Sequence, residues 1–274
     1  MSLINVSNLT FSYEGSYDNI FENVSFQIDT DWKLGFIGRN GRGKTTFLNL
    51  LLGKYAYSGN ISSTVKFEYF PYDVEDKSLY TIEVMKSICT ECMDWEIFRE
   101  ISLLDVQEDA LYRPFNTLSN GEQTKVLLAA LFLTASCFLL IDEPTNHLDI
   151  DARNVVQNYL KRKKGFILVS HDRSLLDQCV DHILSINKTN IEIQKGNFTS
   201  WWENKTLQDN FELAENKKLL KEIGRLSYAA KRSSNWSNKV EKSKYGTSNS
   251  GSKLDKGYVG HKAAKAMKRA KNIE

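Results

Sequence analysis

Roughly the first two hundred residues alternate short apolar runs with segments of helical periodicity. Branched and aromatic residues dominate the runs that we predict to be strands, namely INVSNLTFSY, NVSFQI, LGFIG, VKFEYF, CFLLID, GFILVS and DHILSI. LGFIG, CFLLID and GFILVS are apolar throughout, as strands covered on both faces are. Predicted helices are TTFLNLLLG, TIEVMKSICTECM, GEQTKVLLAALFLT, ARNVVQNYLKRKK and RSLLDQC. Repeated strand–helix units indicate an α/β fold with a mostly parallel core sheet.

The two ends of the chain depart from this alternation. The opening strands have no crossover helices between them, so we expect an antiparallel side sheet. After about Asn197, WWENKTLQDNFELAENKKLLKEIGRL predicts a helix, and the polar stretch SSNWSNKVEKSKYGTSNSGSKLDKGYVG predicts loop or disorder. A lysine- and alanine-rich helix after Gly260 closes the chain. We therefore predict a domain over residues 1–204, with a small helical subdomain at about 73–135, and a basic, partly disordered linker over 205–274.

Composition and charge narrow the function classes. The 274 residues are 41% hydrophobic and 26% charged, as in ordinary globular proteins, and we find no run of 18 apolar residues that would span a membrane. The N-terminus lacks the pattern of a secretory signal, so a cytosolic location is the default expectation. The net charge of +2 conceals an asymmetry, because residues 205–274 carry 17 Lys and Arg against 7 Asp and Glu. This asymmetry favours a polyanionic partner for the basic segment, with a solvated tail as the alternative.

Cys89 and Cys92 form a C-x-x-C pattern, which in other contexts marks a redox pair or half of a zinc site. No second cysteine pair and no suitably spaced histidines accompany it, so we interpret the spacing as chance. Cys137 and Cys179 lie in apolar runs and are expected in the core.

The strongest chemical signal is a glycine-rich loop between the strand LGFI and the helix TTFLNLL. It matches the phosphate-loop pattern G-x-x-x-x-G-K-[ST]. Glycines let backbone N–H groups curl around phosphates, and the helix N-terminus adds the positive end of its dipole. Lys44 is expected to reach the β- and γ-phosphates, and the Thr45 hydroxyl to ligate Mg²⁺. The predicted nucleotide-binding set is Gly38, Arg39, Asn40, Gly41, Arg42, Gly43, Lys44, Thr45 and Thr46.

A second signal is the apolar run Phe138-Leu-Leu-Ile that ends in the adjacent acids Asp142 and Glu143. Two acids at the tip of a buried strand are unfavourable without a cation. We expect Asp142 to hold the Mg²⁺ shell and Glu143 to polarise an attacking water as catalytic base.

Three further motifs follow in a fixed order, and with the phosphate loop they resemble the ATP-binding-cassette (ABC) ATPases over roughly residues 3–200. They are LSNGEQ at 118–123, PTNHLD at 144–149 and SHDR at 170–173. The resemblance implies the P-loop cassette fold, ATP and Mg²⁺ as ligands, and roles for single residues. Tyr13 would stack on adenine, and His171 would contact the γ-phosphate as a second catalytic residue. Ser119, Asn120, Gly121 and Glu122 would form the signature that binds the nucleotide of a partner cassette.

The sequence departs from the family pattern at two positions. Asn120 replaces the first glycine of the usual signature; Asn tolerates a positive φ better than other non-glycine residues, so we expect the signature turn to survive. Tyr72, after Phe70-Pro71, stands where the family often has a metal-contacting glutamine, which predicts weakened coupling or slow hydrolysis.

Within the family the chain resembles the ABC-F class, whose two cassettes are joined by a basic helical linker and act on ribosomes. The form Asp-Glu-Pro-Thr-Asn146-His147-Leu-Asp, the later Lys195-Gly196-Asn197-Phe198 and the short span from Tyr72 to Leu118 carry this resemblance. It implies a second cassette outside this chain, or a homodimer, and we expect the chain to end within the linker of a protein about twice as long. The Tyr-Phe-Pro-Tyr variant resembles antibiotic-resistance members of the Lsa and Vga type, which protect bacterial ribosomes from lincosamides, pleuromutilins and group A streptogramins. A housekeeping translation factor and the ATPase subunit of a membrane transporter remain open.

Overall fold

A computed structural model describes residues 2–146, 148–187, 190–242 and 256–271 of the chain. His147 of the predicted PTNHLD motif and residues 243–255 of the predicted loop lie outside the described residues. The chain divides into two compact units, Met1–Glu203 and Asn204–Glu274.

The first unit contains two β-sheets. A three-stranded antiparallel sheet has the order β2-β1-β4 and consists of β1 (Leu3–Phe11), β2 (Phe21–Asp29) and β4 (Ser58–Ser62). A six-stranded sheet has the order β5-β6-β7-β3-β8-β9, made of β3 (Lys33–Ile37), β5 (Lys66–Phe70), β6 (Cys137–Asp142), β7 (Phe166–Val169), β8 (His182–Asn187) and β9 (Asn190–Lys195). Every neighbouring pair in the larger sheet is parallel except β8 with β9. The predicted α/β class, with a mostly parallel core and an antiparallel side sheet, is confirmed.

In the part of this unit that the structure describes, six helices connect the strands: α1 (Lys44–Leu51), α2 (Thr81–Ile88), α3 (Asp94–Leu103), α4 (Asn120–Leu133), α5 (Ile150–Arg162) and α6 (Arg173–Cys179). These helices cover the two faces of the large sheet. Successive side chains of a strand point to opposite faces, so each strand packs against helices on both sides. On β6, Phe138 and Leu140 pack into a cluster with α1 and the side sheet. Leu139 and Ile141 point the other way, into a cluster built with the remaining helices. Both faces being covered explains why the core strands are apolar throughout.

The segment between β5 and β6 holds α2, α3, two short 3₁₀ turns (Glu108–Tyr112 and Phe115–Thr117) and α4. Our prediction of a single helix through TIEVMKSICTECM was wrong. The helix ends at Ile88, and a disulfide joins Cys89 to Cys92 in the turn before α3. The structure thus pairs two cysteines for which the sequence predicted no bond.

The described residues after Asn197 are helical. Helix α7 (Phe198–Lys242) begins after Asn197, whose side-chain oxygen accepts from the amide of Ser200. Helix α8 is Lys256–Lys271. Within the second unit the Ser237 hydroxyl donates to the carbonyl of Ala263 at 2.9 Å, and Ala230 and Ala263 are buried. The expectation of loop or disorder was wrong at residues 233–242 and 256–260, which are helical, and the hydrogen bond from Ser237 to Ala263 joins the two helices.

Candidate nucleotide-binding site

The phosphate loop joins β3 to α1 and is exposed over Arg39, Asn40, Gly41 and Arg42. Two of its glycines are in the left-handed region, with φ of 76° at Gly41 and 91° at Gly43. Gly43 is the N-cap residue of α1, and a Cβ there would stand 2.5 Å from the Ile20 side chain. Glycine is required at this position for both backbone and space, which is the condition for a loop that curls around phosphates.

Lys44 points back into the curl of this loop. Its ammonium donates to the carbonyl of Gly38 at 2.8 Å and to Oδ1 of Asn40 at 3.5 Å. Burial lowers the pKa of Lys44, against the attraction of Glu143 and Asp142, which raises it. The charged end of Lys44 therefore lies in the concave side of the loop, where phosphate oxygens are the partners that a free ammonium would take.

Three side chains meet where β5 and β6 end beside the loop. The Thr45 hydroxyl donates to Asp142 Oδ2 at 3.1 Å, and the Tyr69 hydroxyl donates to the same oxygen at 3.2 Å. Burial, followed by the charge of Asp142 and the hydrogen bond to it, raises the pKa of Tyr69 to about 12. Hydroxyl and carboxylate oxygens are the donor set that Mg²⁺ prefers, so Thr45 and Asp142 fit the ion.

Glu143 follows Asp142 in a sharp turn. Its φ is 51°, in the left-handed region that a non-glycine residue rarely adopts, and its amide donates to the carbonyl of Val169 at 2.9 Å. This turn directs the side chain away from the strand. Among the described residues, the buried Oε1 atom of Glu143 has no hydrogen-bond partner. Burial raises the pKa of Glu143. A buried carboxylate oxygen that accepts no hydrogen bond, with the His171 Nε2 atom 3.5 Å away, fits a group that receives a proton from water or binds the water of a metal shell.

His171 comes from the end of β7 and faces Glu143. Its amide donates to Glu143 Oε2 at 3.4 Å, and its Nε2 atom is 3.5 Å from Glu143 Oε1. The imidazole is largely exposed, with 63% of the side chain accessible. The predicted hydrolytic pair is thus adjacent, and most of the histidine side chain is open to solvent.

Tyr13 lies just beyond β1, and its hydroxyl is 2.8 Å from the Thr46 hydroxyl at the start of α1. Its ring is held edge-on against Phe11 and Tyr55, with ring centres 5.1 and 5.8 Å away, and remains 43% exposed. The structure therefore places a partly exposed aromatic side chain beside the start of α1, and stacking on adenine stays a prediction.

The predicted signature residues are at the start of α4. The Ser119 side chain accepts from the amide of Glu122 at 3.2 Å, and Glu122 Oε2 accepts from the amide and hydroxyl of Ser119 at 2.8 Å each. Hydrogen bonds from the Ser119 amide and hydroxyl lower the pKa of Glu122. Asn120 and Gly121 lie in the first helical turn. Asn120 is helical and has no positive φ, so the expected need for an unusual backbone conformation at this position was wrong.

The structure thus brings the loop, Asp142, Glu143, His171 and Tyr13 to one edge of the large sheet. Ser119, Asn120, Gly121 and Glu122 instead line a separate cavity of about 410 Å³, together with residues such as Asp149 and Lys125. Sequence reasoning missed Tyr69. The alternation in KFEYF puts Phe67 and Tyr69 on one face of β5, but only the pairing of β5 with β6 brings that face beside Asp142.

Comparison with known proteins agrees with this arrangement. The profile of the ABC transporter family matches residues 21–146. A chain of a metal-chelate type ABC transporter, solved in an inward-facing conformation, superposes with a TM-score of 0.61 at 21% identity, covering 71% of this chain and 84% of that one. The fold is that of an ABC ATPase cassette.

Curated relatives include F-type cassette proteins. ABC transporter F family member 5 of Arabidopsis thaliana is 27% identical over 74% of this chain and 30% of its own length. The ribosome protection protein VmlR of Bacillus subtilis is 31% identical over 70% of this chain and 35% of its own length. The chain thus spans about a third of these relatives. In the described part of the chain, no helix has the length and apolar content that a membrane crossing needs.

Proposed function

We propose that this chain is the ATP-binding and ATP-hydrolysing cassette of an ABC-F protein that acts on ribosomes. The observation that carries the enzymatic part is the meeting of Lys44, Thr45, Asp142, Glu143 and His171 at one sheet edge. Lys44 is the cation, Thr45 and Asp142 are the metal ligands, Glu143 is the base and His171 is a polar contact. Phosphoryl transfer to water requires this set of groups. Mg²⁺, when bound with ATP, would neutralise charge on the β- and γ-phosphates.

Each side chain then has one task. Lys44 leaves its contact with Gly38 to meet phosphate oxygens, and Thr45 and Asp142 hold the ion. Glu143 would receive a proton from the attacking water at Oε1, which accepts no hydrogen bond in the structure, and His171 would contact the γ-phosphate. Tyr13 offers its ring to adenine.

Hydrolysis requires a second surface in this proposal. Ser119, Asn120, Gly121 and Glu122 line a cavity that does not include the phosphate-loop residues. They would bind the nucleotide held by another cassette, either the second one of a longer chain or that of a second copy. We therefore expect weak ATPase activity from the chain alone.

A charge-removing variant at Lys44 tests the nucleotide site. Lys44→Ala should weaken ATP–Mg²⁺ binding by at least about tenfold, because a charge-assisted contact contributes roughly 1.5–3 kcal/mol. Equilibrium titration with a fluorescent ATP analogue measures this loss. Lys66→Ala, at an exposed position on β5, is the matched control. Equal affinity in both variants would contradict the assignment.

The ribosomal part rests on the basic second unit and on relatives such as VmlR, whose name records ribosome protection. Lysines and arginines along α7, including Lys217, Lys218 and Arg225, are exposed, and exposed cations suit an RNA partner. We propose a cytoplasmic protein that protects the bacterial ribosome from lincosamides, pleuromutilins and group A streptogramins. ATP-dependent pelleting of the chain with ribosomes is the first test. Minimum inhibitory concentrations with and without its gene are the second.

Two other functions have support and give different results. A housekeeping ABC-F translation factor is consistent with the plant F-type relative, and it predicts ribosome pelleting with unchanged drug sensitivity. An ABC transporter subunit is consistent with the family match and the structural likeness. It predicts co-purification with a membrane protein and ribosome association that does not depend on ATP.

A further inference from the structure

Tyr69, the first residue of the Tyr-Phe-Pro-Tyr segment, contacts the predicted metal ligand, although the sequence predicts no contact with nucleotide or metal for it. Its hydroxyl donates to Asp142 Oδ2 at 3.2 Å, and Thr45 donates to the same atom at 3.1 Å. Neither donor uses Oδ1, so the carboxylate is held at one oxygen while the other is left for ligation.

The sheet register explains why Tyr69 can make this contact. Strands β5 and β6 are parallel, and Tyr69 pairs with Leu140. Asp142 is two residues beyond Leu140 and therefore on the same face, at a distance of about 6.6 Å along the strand. A tyrosine ring is long enough to cover that step, whereas a shorter polar side chain at residue 69 would not reach.

The ring of Tyr69 is itself fixed. It packs against the apolar cluster that contains Phe138 and Leu140, and the Lys54 ammonium lies 5.5 Å from its ring centre. A hydroxyl on an anchored ring has little rotational freedom, so its hydrogen bond restricts the carboxylate that accepts it.

We propose that Tyr69 is a positioning residue that orients Asp142 for Mg²⁺. The proposal rests on the function proposed above and adds a residue to it. Tyr72, by contrast, occupies the position of the family's metal-contacting glutamine but is 38% exposed. The residue that contacts the predicted metal-binding carboxylate of Asp142 is Tyr69, three residues before Tyr72 and within strand β5.

The test measures the Mg²⁺ dependence of ATP binding by the whole chain, with no turnover involved. The affinity for ATP is titrated with a fluorescent analogue across a Mg²⁺ series and in excess EDTA. Loss of an outer-shell partner weakens metal affinity by about 10- to 100-fold in known sites. We expect Tyr69→Phe to raise the half-saturating Mg²⁺ concentration at least about tenfold, and to leave binding in EDTA unchanged.

Two variants provide controls. Tyr57→Phe removes a hydroxyl from a ring that packs against the same cluster and should not shift the Mg²⁺ midpoint. Asp142→Asn combined with Tyr69→Phe should be no worse than Asp142→Asn alone, since a positioning residue acts only through the group it orients.

Each outcome has a definite meaning. A wild-type chain that binds ATP without regard to Mg²⁺ would overturn the proposed metal site and Tyr69's role with it. A normal Mg²⁺ response in the wild type and an identical one in Tyr69→Phe would overturn only the role of Tyr69. A shift in Tyr72→Phe instead would assign the role to Tyr72. Additive losses in the double variant would exclude action through Asp142.

Discussion

A buried carboxylate on α3 links the helical segment between β5 and β6 to α5. This helical segment also carries the predicted signature. Glu100, on α3, is 1% exposed. Its Oε2 accepts from the Tyr159 hydroxyl at 2.6 Å and from the Lys163 ammonium at 2.5 Å, both at the end of α5, while Oε1 accepts from Arg99 at 2.9 Å. Burial alone would raise the pKa of Glu100, but hydrogen bonds from Lys163 and Tyr159 outweigh it and lower the pKa below 4.5.

Removing this carboxylate leaves its partners unsatisfied to different degrees. The Tyr159 hydroxyl is on a residue that is 2% exposed and has no access to water, whereas 20% of the Lys163 side chain is exposed. Breaking a buried pair by deleting one member typically costs about 3–5 kcal/mol. We expect Glu100→Ala to lie in that range and Glu100→Gln to cost about 1–3 kcal/mol, because the amide oxygen still accepts one bond.

Urea denaturation at neutral pH gives these differences in the free energy of unfolding. Arg99→Ala is the matched control: the Arg99 side chain is 53% exposed, so its loss should cost less than about 1 kcal/mol. If Glu100→Ala were no more destabilising than Arg99→Ala, the carboxylate would not be holding α3 to α5.

The pH dependence gives an independent measurement. Because the pKa of Glu100 is lower in the folded chain than in the unfolded one, its contribution is complete above the ordinary value of 4.5 and is lost as the pH falls through the folded pKa. The difference between wild type and Glu100→Gln should therefore shrink on acidification below 4.5. A difference that grew instead would contradict this sign.

Two further predictions concern turnover and RNA binding. Glu143→Gln should keep ATP–Mg²⁺ binding and slow single-turnover hydrolysis by about 10²- to 10⁴-fold, since the amide cannot accept a proton; retained turnover would remove Glu143 from the base role. Replacing Lys262, Lys265 and Lys268, all exposed on α8, by Gln should lower the log–log salt slope of ribosome association by about two to three units and leave ATP binding intact. An unchanged slope would place the RNA contact elsewhere.

The core strands could be predicted from sequence because burial on both faces makes them apolar without interruption. Strands β4 and β9 were not predicted. SGNIS is almost wholly exposed on β4, and NIEIQK is an edge strand whose exposed positions are polar. Edge strands obtain their structure from the neighbour they pair with, and that partner is not visible in a local pattern.

The site was predictable to the extent that its residues come from contiguous motifs. Lys44 and Thr45 are placed by a loop that needs glycine, and Asp142 by the end of an apolar strand. The role inferred for Tyr69 depends on which strand lies beside β6 and in which register. Both are properties of the tertiary fold, and one sequence without its pairing cannot supply them.

The segment that follows β7 also combines a sequence motif with contacts that depend on the tertiary fold. His171 contacts Glu143 through its amide, and two residues later the Arg173 guanidinium lies over the rings of Phe198 and Trp202, 5.6 and 5.4 Å from their centres. Residues two apart in a chain are separated by at most about 7 Å. The hydrolytic pair and the first turn of α7 are therefore held by one short stretch of backbone. The effect of a substitution at His171 or at Arg173 should therefore be measured on both contacts, because neither contact can shift far without moving the other.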